Sequence, residues 1–200
     1  MPRLALTGLL TVLVLALPSR ARAEWQLSPY IGLTFGGDTN LVDLEHTAGR
    51  KRLLFGGNAT LLGPGIFGLE VDFSYLPGFF EGNTNPPIVL SSSVLTLMGN
   101  VMVALPQGIT RESLRPYLSA GLGAIRPKIE DVLGFFPADR VLLGMDAGGG
   151  AAGFLTRRTG VRWDLRYFRA VKGQDAAGTF TSGSTRLSFW RATMGVVVRY

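Results

Sequence analysis

Apolar and polar residues alternate along most of the chain with a period of two, and the alternation recurs in eight separate runs after residue 23. Such a period places successive side chains on opposite faces of a β-strand. The clearest run has an apolar face formed by Phe67, Leu69, Val71, Phe73 and Tyr75. Its other face is formed by Gly68, Glu70, Asp72 and Ser74. The runs predict eight strands of about nine to eleven residues, the length that crosses a bilayer when strands tilt by about 45°.

The segments that link these runs alternate in length. The links after the second, fourth and sixth runs are the shorter ones, at 63–65, about 106–115 and 156–159. The links after the first, third, fifth and seventh runs are longer, at about 36–51, 77–92, 126–140 and 169–187. Short turns at one end and longer loops at the other are typical of membrane barrels. The pattern therefore predicts an all-β fold, an eight-stranded antiparallel transmembrane up-and-down β-barrel.

The first 23 residues have a different pattern, which is typical of a secretory signal peptide. Arg3 precedes an uncharged apolar run over residues 4–17, and Ala21-Arg22-Ala23 is a small-x-small cleavage site. The apolar run is short for a transmembrane helix, and an uncleaved N-terminal anchor is the alternative. We expect the signal peptide, residues 1–23, to be removed and residues 24–200 to form a barrel in the outer membrane of a Gram-negative bacterium.

Composition and charge exclude several classes of protein. The chain has no cysteine, which excludes a disulfide framework, a thiolate metal site and an iron–sulfur cluster. The formal charge of +6 falls to +3 when the three arginines of the signal peptide are removed. The remaining basic residues are scattered and form no basic-aromatic motif, so the sequence does not indicate nucleic-acid binding. It also predicts no metal site and no cofactor.

The chemistry of the two strand faces favours a membrane barrel over a soluble secreted one. A soluble eight-stranded barrel turns its apolar face inward. Here the face opposite the apolar one carries four acidic and four basic residues, namely Glu70, Asp72, Asp146, Asp164, Arg162, Arg166, Arg191 and Arg199. Buried charges are costly unless they are paired, so equal numbers predict a salt-bridged network in the lumen with a structural role. We expect Arg162, Arg166 and Arg191 to meet the four carboxylates.

Several segments resemble those of a known family of barrels. Residues 115–124, RPYLSAGLGA, resemble a strand of the small outer-membrane barrels of the OmpA and opacity-protein type, as do the glycines 148–150 followed by residues 160–167, GVRWDLRY. The chain ends in Tyr200 after alternating apolar residues, which is similar to the C-terminal strand signal read by the barrel assembly machinery. The resemblance covers residues 24–200. It implies the same fold, with outer-membrane lipid and that machinery as partners.

Catalytic chemistry has little support in the sequence. The one histidine, His46, lies in the first long link near Asp43 and Glu45. Small barrels that modify lipid A are similar in size and use a histidine with a serine and a carboxylate, but their His-x-Ser strand motif is absent here. A lone histidine among loop carboxylates is more typical of a solvated surface. The sequence therefore predicts no catalytic residue, and a lipid-A-modifying enzyme is the third hypothesis.

Large apolar residues recur in the second and third long links. Their most prominent members are Phe79, Phe80, Phe135 and Phe136. Such residues either pack the loops together and contact the membrane at the outer rim, or they form a surface for a lipid, a small apolar ligand or another protein. The four phenylalanines are a candidate loop contact surface for an extracellular ligand that is unknown.

These features together predict an integral outer-membrane protein with a structural or surface role. Its charge-paired lumen is expected to pass little, and its loops are expected to face the exterior. The alternative is a narrow pore or small-solute channel that uses the same lumen residues. The two hypotheses differ in the conductance that they predict.

Overall fold

The computed structural model describes residues 24–39, 51–63, 65–79, 89–106, 109, 114–131, 141–174, 180–181 and 187–200. Its strands are β1 Glu24–Thr39, β2 Arg52–Leu62, β3 Phe67–Pro77, β4 Val89–Ala104, β5 Leu114–Asp131, β6 Leu142–Phe154, β7 Thr159–Gln174, β8 Phe180–Thr181 and β9 Leu187–Arg199. The predicted signal peptide and His46 lie outside the described residues, so both remain predictions.

Eight of these strands close into a barrel. Each long strand pairs antiparallel with the next along the chain, and β7 pairs with both β6 and β9. β9 in turn pairs with β1, which closes the sheet. β8 contains two residues and pairs only with the end of β7. The predicted eight-stranded antiparallel barrel is therefore confirmed.

Six of the eight barrel strands are longer than the nine to eleven residues that the sequence predicted, whereas β2 and β3 span eleven. The six span 13 to 18 residues, and the longest extend towards the end of the barrel that carries the long links. There β5 continues through Asp131 and β4 begins at Val89, inside segments predicted to be loops. Backbone pairing continues beyond the apolar part of each strand, where polar and charged side chains conceal the alternation. The predicted loop bounds were therefore too wide.

The barrel wall has an apolar outward face and a polar inward face, as the alternation predicted. Outward positions carry large apolar side chains, such as Phe67 at 72% exposed and Leu118 at 68%. Inward positions carry the buried polar and charged side chains, including Glu70 at 2% and Arg166 at 0%. Among the residues that the structure describes, no helix is long and apolar enough to span a membrane.

Side chains fill the lumen in three layers. The upper layer, towards the long links, is a buried apolar cluster of Tyr30, Leu54, Leu76, Phe79, Val94, Met98, Ile125, Leu142, Phe168, Ala170, Leu187 and Phe189. The lower layer, towards the short turns, is a smaller cluster of Leu62, Met102, Ala104 and Tyr117. Between them lies the charged layer, which consists of Glu70, Asp72, Asp146, Asp164, Arg162, Arg166 and Arg191 with their polar partners. Most of the buried charged side chains thus lie in the middle of the lumen.

One buried arginine joins the short turns at the lower end. Arg115, 2% exposed, donates to the carbonyl oxygens of Gly63 and Gly65 at 2.8 and 2.7 Å, and to that of Leu105 at 2.9 Å. The first two oxygens belong to the β2–β3 turn and the third to the link after β4. Arg115 therefore satisfies carbonyl groups that the turns leave without strand partners.

Candidate functional site

Two arginines on β7 cross the lumen to a carboxylate on the opposite wall. Arg162 Nη2 donates to Glu70 Oε2 at 2.5 Å, and Arg166 Nη2 donates to Glu70 Oε1 at 2.6 Å. β7 and β3 lie four strands apart around the closed barrel, so these bonds span its width. The side chains of both arginines and of Glu70 are at most 4% exposed. Charge-assisted bonds between groups removed from water are the strong class of hydrogen bond.

Asp164 lies between these arginines on the same strand and the same face. Its Oδ1 accepts from Arg166 Nε at 2.5 Å and its Oδ2 from Arg166 Nη2 at 2.8 Å, which is a bidentate pair. Arg162 Nη2 donates to the same Oδ2 at 3.2 Å. Tyr117 Oη donates to Asp164 Oδ2 and accepts from Arg162 Nε at 2.6 Å. The spacing of two residues in RWDLR is what aligns the three charged groups.

Arg191 on β9 forms a second unit with Asp72 on β3. Its Nη1 and Nη2 donate to Asp72 Oδ1 and Oδ2 at 2.7 and 3.0 Å. Tyr30 Oη donates to Asp72 Oδ2 at 2.9 Å and accepts from Arg191 Nη1 at 3.0 Å. The guanidinium also lies 4.6 Å from the centroid of the Phe168 ring, at the base of the upper apolar cluster. This pair is therefore fixed on both its polar and its apolar side.

Asp146 is the carboxylate with the weakest partners. Its contact with a guanidinium is to Arg166 Nη1 at 3.4 Å. The amide of Asn100, oriented to suit its neighbours, donates to Asp146 Oδ1 at 2.8 Å and accepts from Arg166 Nη1 at 2.5 Å. The charged layer as described thus holds three guanidinium groups and four carboxyl groups, and Asp146 is the one without a close ionic partner.

Glycine makes room for this layer at the position beside Asn100. Gly121→Ala is expected to lower the free energy of unfolding by about 1–3 kcal/mol, because a Cβ there would meet the Asn100 side chain and the Gly99 carbonyl oxygen. Gly99→Ala is the matched control, since its methyl group points outward and its nearest neighbour is the Leu122 carbonyl oxygen at 3.8 Å. Guanidinium titration of the two variants in lipid vesicles measures the difference. Equal losses would contradict this account of Gly121.

The same architecture recurs in solved structures of low sequence identity. The crystal structure of Neisserial surface protein A is 14% identical, with a TM-score of 0.60, and the match covers 91% of this chain and 100% of that one. The outer membrane protein OprG of Pseudomonas aeruginosa is 12% identical, with a TM-score of 0.58 over 90% of this chain and 97% of that one. The N-terminal barrel domain of OprF from the same organism is 15% identical, with a TM-score of 0.51 over 90% and 100%.

The chain has the fold of the small eight-stranded outer-membrane barrels. No family model matches the sequence, and no curated protein is significantly similar to it.

Within this outer-membrane barrel fold, the structure brings together seven of the eight predicted lumen charges and places the eighth elsewhere. Arg199 is the last residue of β9, at the end with the short turns. Its Nε lies 2.9 Å from Glu24 Oε2, and its guanidinium lies 3.9 Å from the centroid of the Phe154 ring. Arg199 has the inward position that the alternation predicted, and its side chain is 10% exposed, but it lies below the charged layer and pairs with Glu24 instead. The charged layer therefore holds four acidic and three basic residues, because the alternation of faces does not give depth along the barrel.

Phe79, one of the four candidate contact residues, packs inside the barrel. It is 1% exposed and packs against Phe189, with ring centroids 5.5 Å apart. The positive φ of Gly78, 67°, turns the chain after β3 so that Phe79 lies over the top of the lumen. Phe79 therefore packs into the barrel and is not part of a contact surface. Phe80, Phe135 and Phe136 lie outside the described residues.

Sequence reasoning missed several polar members of the charged layer. Asn58 and Thr60 accept hydrogen bonds from Arg162 at 2.9 and 3.1 Å, and Tyr30, Asn100 and Tyr117 complete the set. All five occupy inward positions of their strands, so the alternation of inward and outward positions was the signal that could have identified them.

The arrangement suits structural support better than catalysis. Each oxygen of Glu70, Asp72 and Asp164 accepts at least one hydrogen bond from a guanidinium or hydroxyl group. All six carboxylate oxygens of these residues are thus already bonded to groups of the lumen wall. Among the side chains that the structure describes, no group of three or more histidine, cysteine or acidic residues is placed to hold a metal ion.

Proposed function

We propose that the chain is an integral outer-membrane barrel with a structural surface role, and that it holds its long loops at the cell exterior without conducting solutes. The observation that carries this proposal is the layered lumen. The charged layer is enclosed by apolar side chains on both sides, including Leu76 at 0% exposed above and Met102 at 1% below. An aqueous path through the lumen would leave these residues exposed to water.

The exterior supports residence in a bilayer. Large apolar side chains cover the outward face, and aromatic residues lie near the strand ends, as in Trp25 at 55% exposed and Trp163 at 46%. An apolar exterior around a polar interior is the reverse of a soluble barrel and matches a membrane barrel. By the same rule, the short turns and both ends of the barrel domain face the periplasm, and the long loops face outward.

Conductance separates this function from the pore alternative. In planar bilayers, the purified barrel is expected to give no stable opening above the baseline, because ions would have to cross both apolar layers and break the Arg162 and Arg166 bonds to Glu70. Leu76→Ser together with Phe79→Ala, which opens the upper layer, is the matched variant. Stable, sizeable openings from the unmodified chain would favour the pore.

We extend the proposal to an absence of lipid-modifying activity. Mass spectrometry of lipid A from cells with and without the protein is expected to give the same species in the same proportions. A new acylated or deacylated species that depends on the protein would instead support the enzyme.

The last strand supports recognition by the barrel assembly machinery. Tyr200 is 76% exposed, and its backbone nitrogen donates to the Trp25 carbonyl oxygen at 2.9 Å where β9 meets β1. Tyr200→Ala is expected to reduce the amount of folded barrel in the outer membrane several-fold, while purified protein still folds in detergent. Phe67→Ala, which removes an exposed aromatic ring that starts β3, is the control. Equal reductions would mean that the ring of Tyr200 acts only as an interfacial anchor.

A further inference from the structure

A groove of about 430 Å³ lies in the outward wall of the barrel, across β2, β3 and β4. This volume is within the range of ligand pockets, about 300–1,000 Å³. Two outward positions in the groove carry small residues, Ala59 on β2 and Gly99 on β4, and both pair with Val71 on the strand between them. The space outside Gly99 is open, since the nearest atom to an added Cβ is the Leu122 carbonyl oxygen at 3.8 Å. The missing side chains therefore leave a depression in the wall.

The side chains that face this wall groove are apolar. Leu61 and Leu69 belong to the next row of paired residues towards the short turns, and Trp25 on β1 pairs with Leu61 at the end of that row. Glu70 and Asn100 also border the groove, but their side chains are buried in the lumen. They present backbone that is paired within the sheet. A ligand of the wall groove would therefore be recognised by apolar contact alone.

The wall groove lies in the half of the apolar band nearer the short turns. Phe67 begins β3 at that end, and Val71 is four residues further along, which is about 13 Å along the strand and about 9 Å in height at a tilt of about 45°. The apolar band of such barrels is about 25 Å tall, so the groove ends near its middle. Trp25 marks the other end, because tryptophan is enriched at the depth of lipid headgroups.

The rim of the wall groove favours one flexible chain over a flat protein surface. Phe67 and Phe73, 72% and 43% exposed, project from β3 below and above it. A second barrel would rest on these two rings and leave the floor between them empty, with a loss of van der Waals contact. A hydrocarbon chain can bend between the rings and fill the floor. Such chains also surround the whole apolar wall of a membrane barrel.

We propose that the wall groove binds one acyl chain of an inner-leaflet phospholipid, with the headgroup at the level of Trp25. The inference rests on the proposed function, which places the barrel in a bilayer with its short turns at the periplasm. The groove begins at that edge of the band and ends near its middle, so its depth matches one leaflet. A chain of the outer leaflet would have to enter from above, where the exposed pair of Phe73 and Leu97 closes the groove.

The test is photolabelling of the folded barrel in phosphatidylcholine vesicles that contain a small fraction of lipid with a diazirine on one acyl chain. Mass spectrometry then gives the label on each residue. Leu69 and Val71 are expected to carry about three times the label of Met194 and Val196, which have the same exposure on β9, because a handful of additional van der Waals contacts retains the chain. A diazirine near the headgroup should favour Leu69, and one further along the chain should favour Val71. Equal labelling of the two walls, or the opposite order of depth, would overturn the proposal.

Filling the wall groove provides the decisive variant. Gly99→Leu is expected to lower the label on Leu69 and Val71 to the level of β9. Ala147→Leu, which adds the same side chain at an exposed position of β6, is the matched control and should keep the excess. An excess that survives Gly99→Leu, or that is lost equally in the control, would contradict the inference.

Two further outcomes have separate meanings. Label in the wall groove below that on β9 would show that a second copy of the chain covers it, which also overturns the proposal. A gel band that does not shift on boiling would mean that the barrel is unfolded, which bears on the proposed function and not on the groove.

Discussion

Replacing Arg166 with methionine is expected to lower the free energy of unfolding by about 3–5 kcal/mol, one of the two largest effects in this chain. The guanidinium bonds to Glu70 and Asp164 at 2.5–2.8 Å and is fully buried. Methionine has a similar length but no charge. Both carboxylates would therefore lose the hydrogen bonds from Arg166 and keep only those from their other partners in the lumen. Breaking a buried ionic network by removing one partner costs this much because the remaining charge stays desolvated.

The measurement is a guanidinium titration in lipid vesicles, followed by tryptophan fluorescence. Asp146→Asn is the matched control within the same layer. It removes the carboxyl group whose nearest guanidinium nitrogen is 3.4 Å away, and leaves three acidic groups with three arginines. We expect it to cost at most about 1 kcal/mol, since it corrects an imbalance of charge. A larger loss of stability from Asp146→Asn than from Arg166→Met would show that ionic pairing does not determine the stability of the charged layer.

The second large effect concerns Arg191 and Asp72. Arg191→Met alone is expected to cost about 3–5 kcal/mol, because Asp72 would remain buried with Tyr30 as its main partner. Arg191→Met combined with Asp72→Leu is expected to recover most of that loss. In the double variant no charge is left unpaired, and the Tyr30 hydroxyl, no longer bonded to Asp72, donates to the Phe73 carbonyl oxygen 3.0 Å away.

The quantity of interest is the coupling energy of the double-mutant cycle, from the same titrations. A coupling of about 2–4 kcal/mol is expected, since each single change breaks the pair and the double change removes it. The corresponding cycle for Leu118 and Leu122, two outward residues on β5, serves as the reference and should be additive. Additive losses for Arg191 and Asp72 would mean that each contributes through packing alone.

The period of two was sufficient to predict most of the wall. It identified all eight long strands and the inward position of charged residues such as Glu70 on β3 and Arg166 on β7. Ionic contacts between opposite walls could also be predicted from the sequence, because strands three and seven of a closed eight-stranded barrel face each other. These successes share a cause, since a membrane wall requires strict alternation of its two faces.

Depth along the barrel and the ends of the strands could not be predicted in this way. The alternation of faces gave Arg199 its inward position, but not its depth at the end of β9, where it pairs with Glu24 and not with the charged layer. The burial of Phe79 depends on a left-handed turn at Gly78 and on a contact with Phe189, more than 100 residues away in sequence. Strand pairing beyond the apolar band leaves no hydrophobic period, so β4 and β5 were assigned ends that were too short.

The bonds across the lumen have a mechanical consequence. Backbone hydrogen bonds join each strand only to its two neighbours, so a tube of eight strands is free to flatten into an ellipse without breaking any of them. The link from Arg162 and Arg166 to Glu70 joins diametrically opposite strands and fixes one diameter. The bond from Arg191 to Asp72 fixes a chord close to it. Three arginine side chains therefore hold opposite strands at fixed distances, and this resists flattening of the barrel under lateral pressure from the surrounding bilayer.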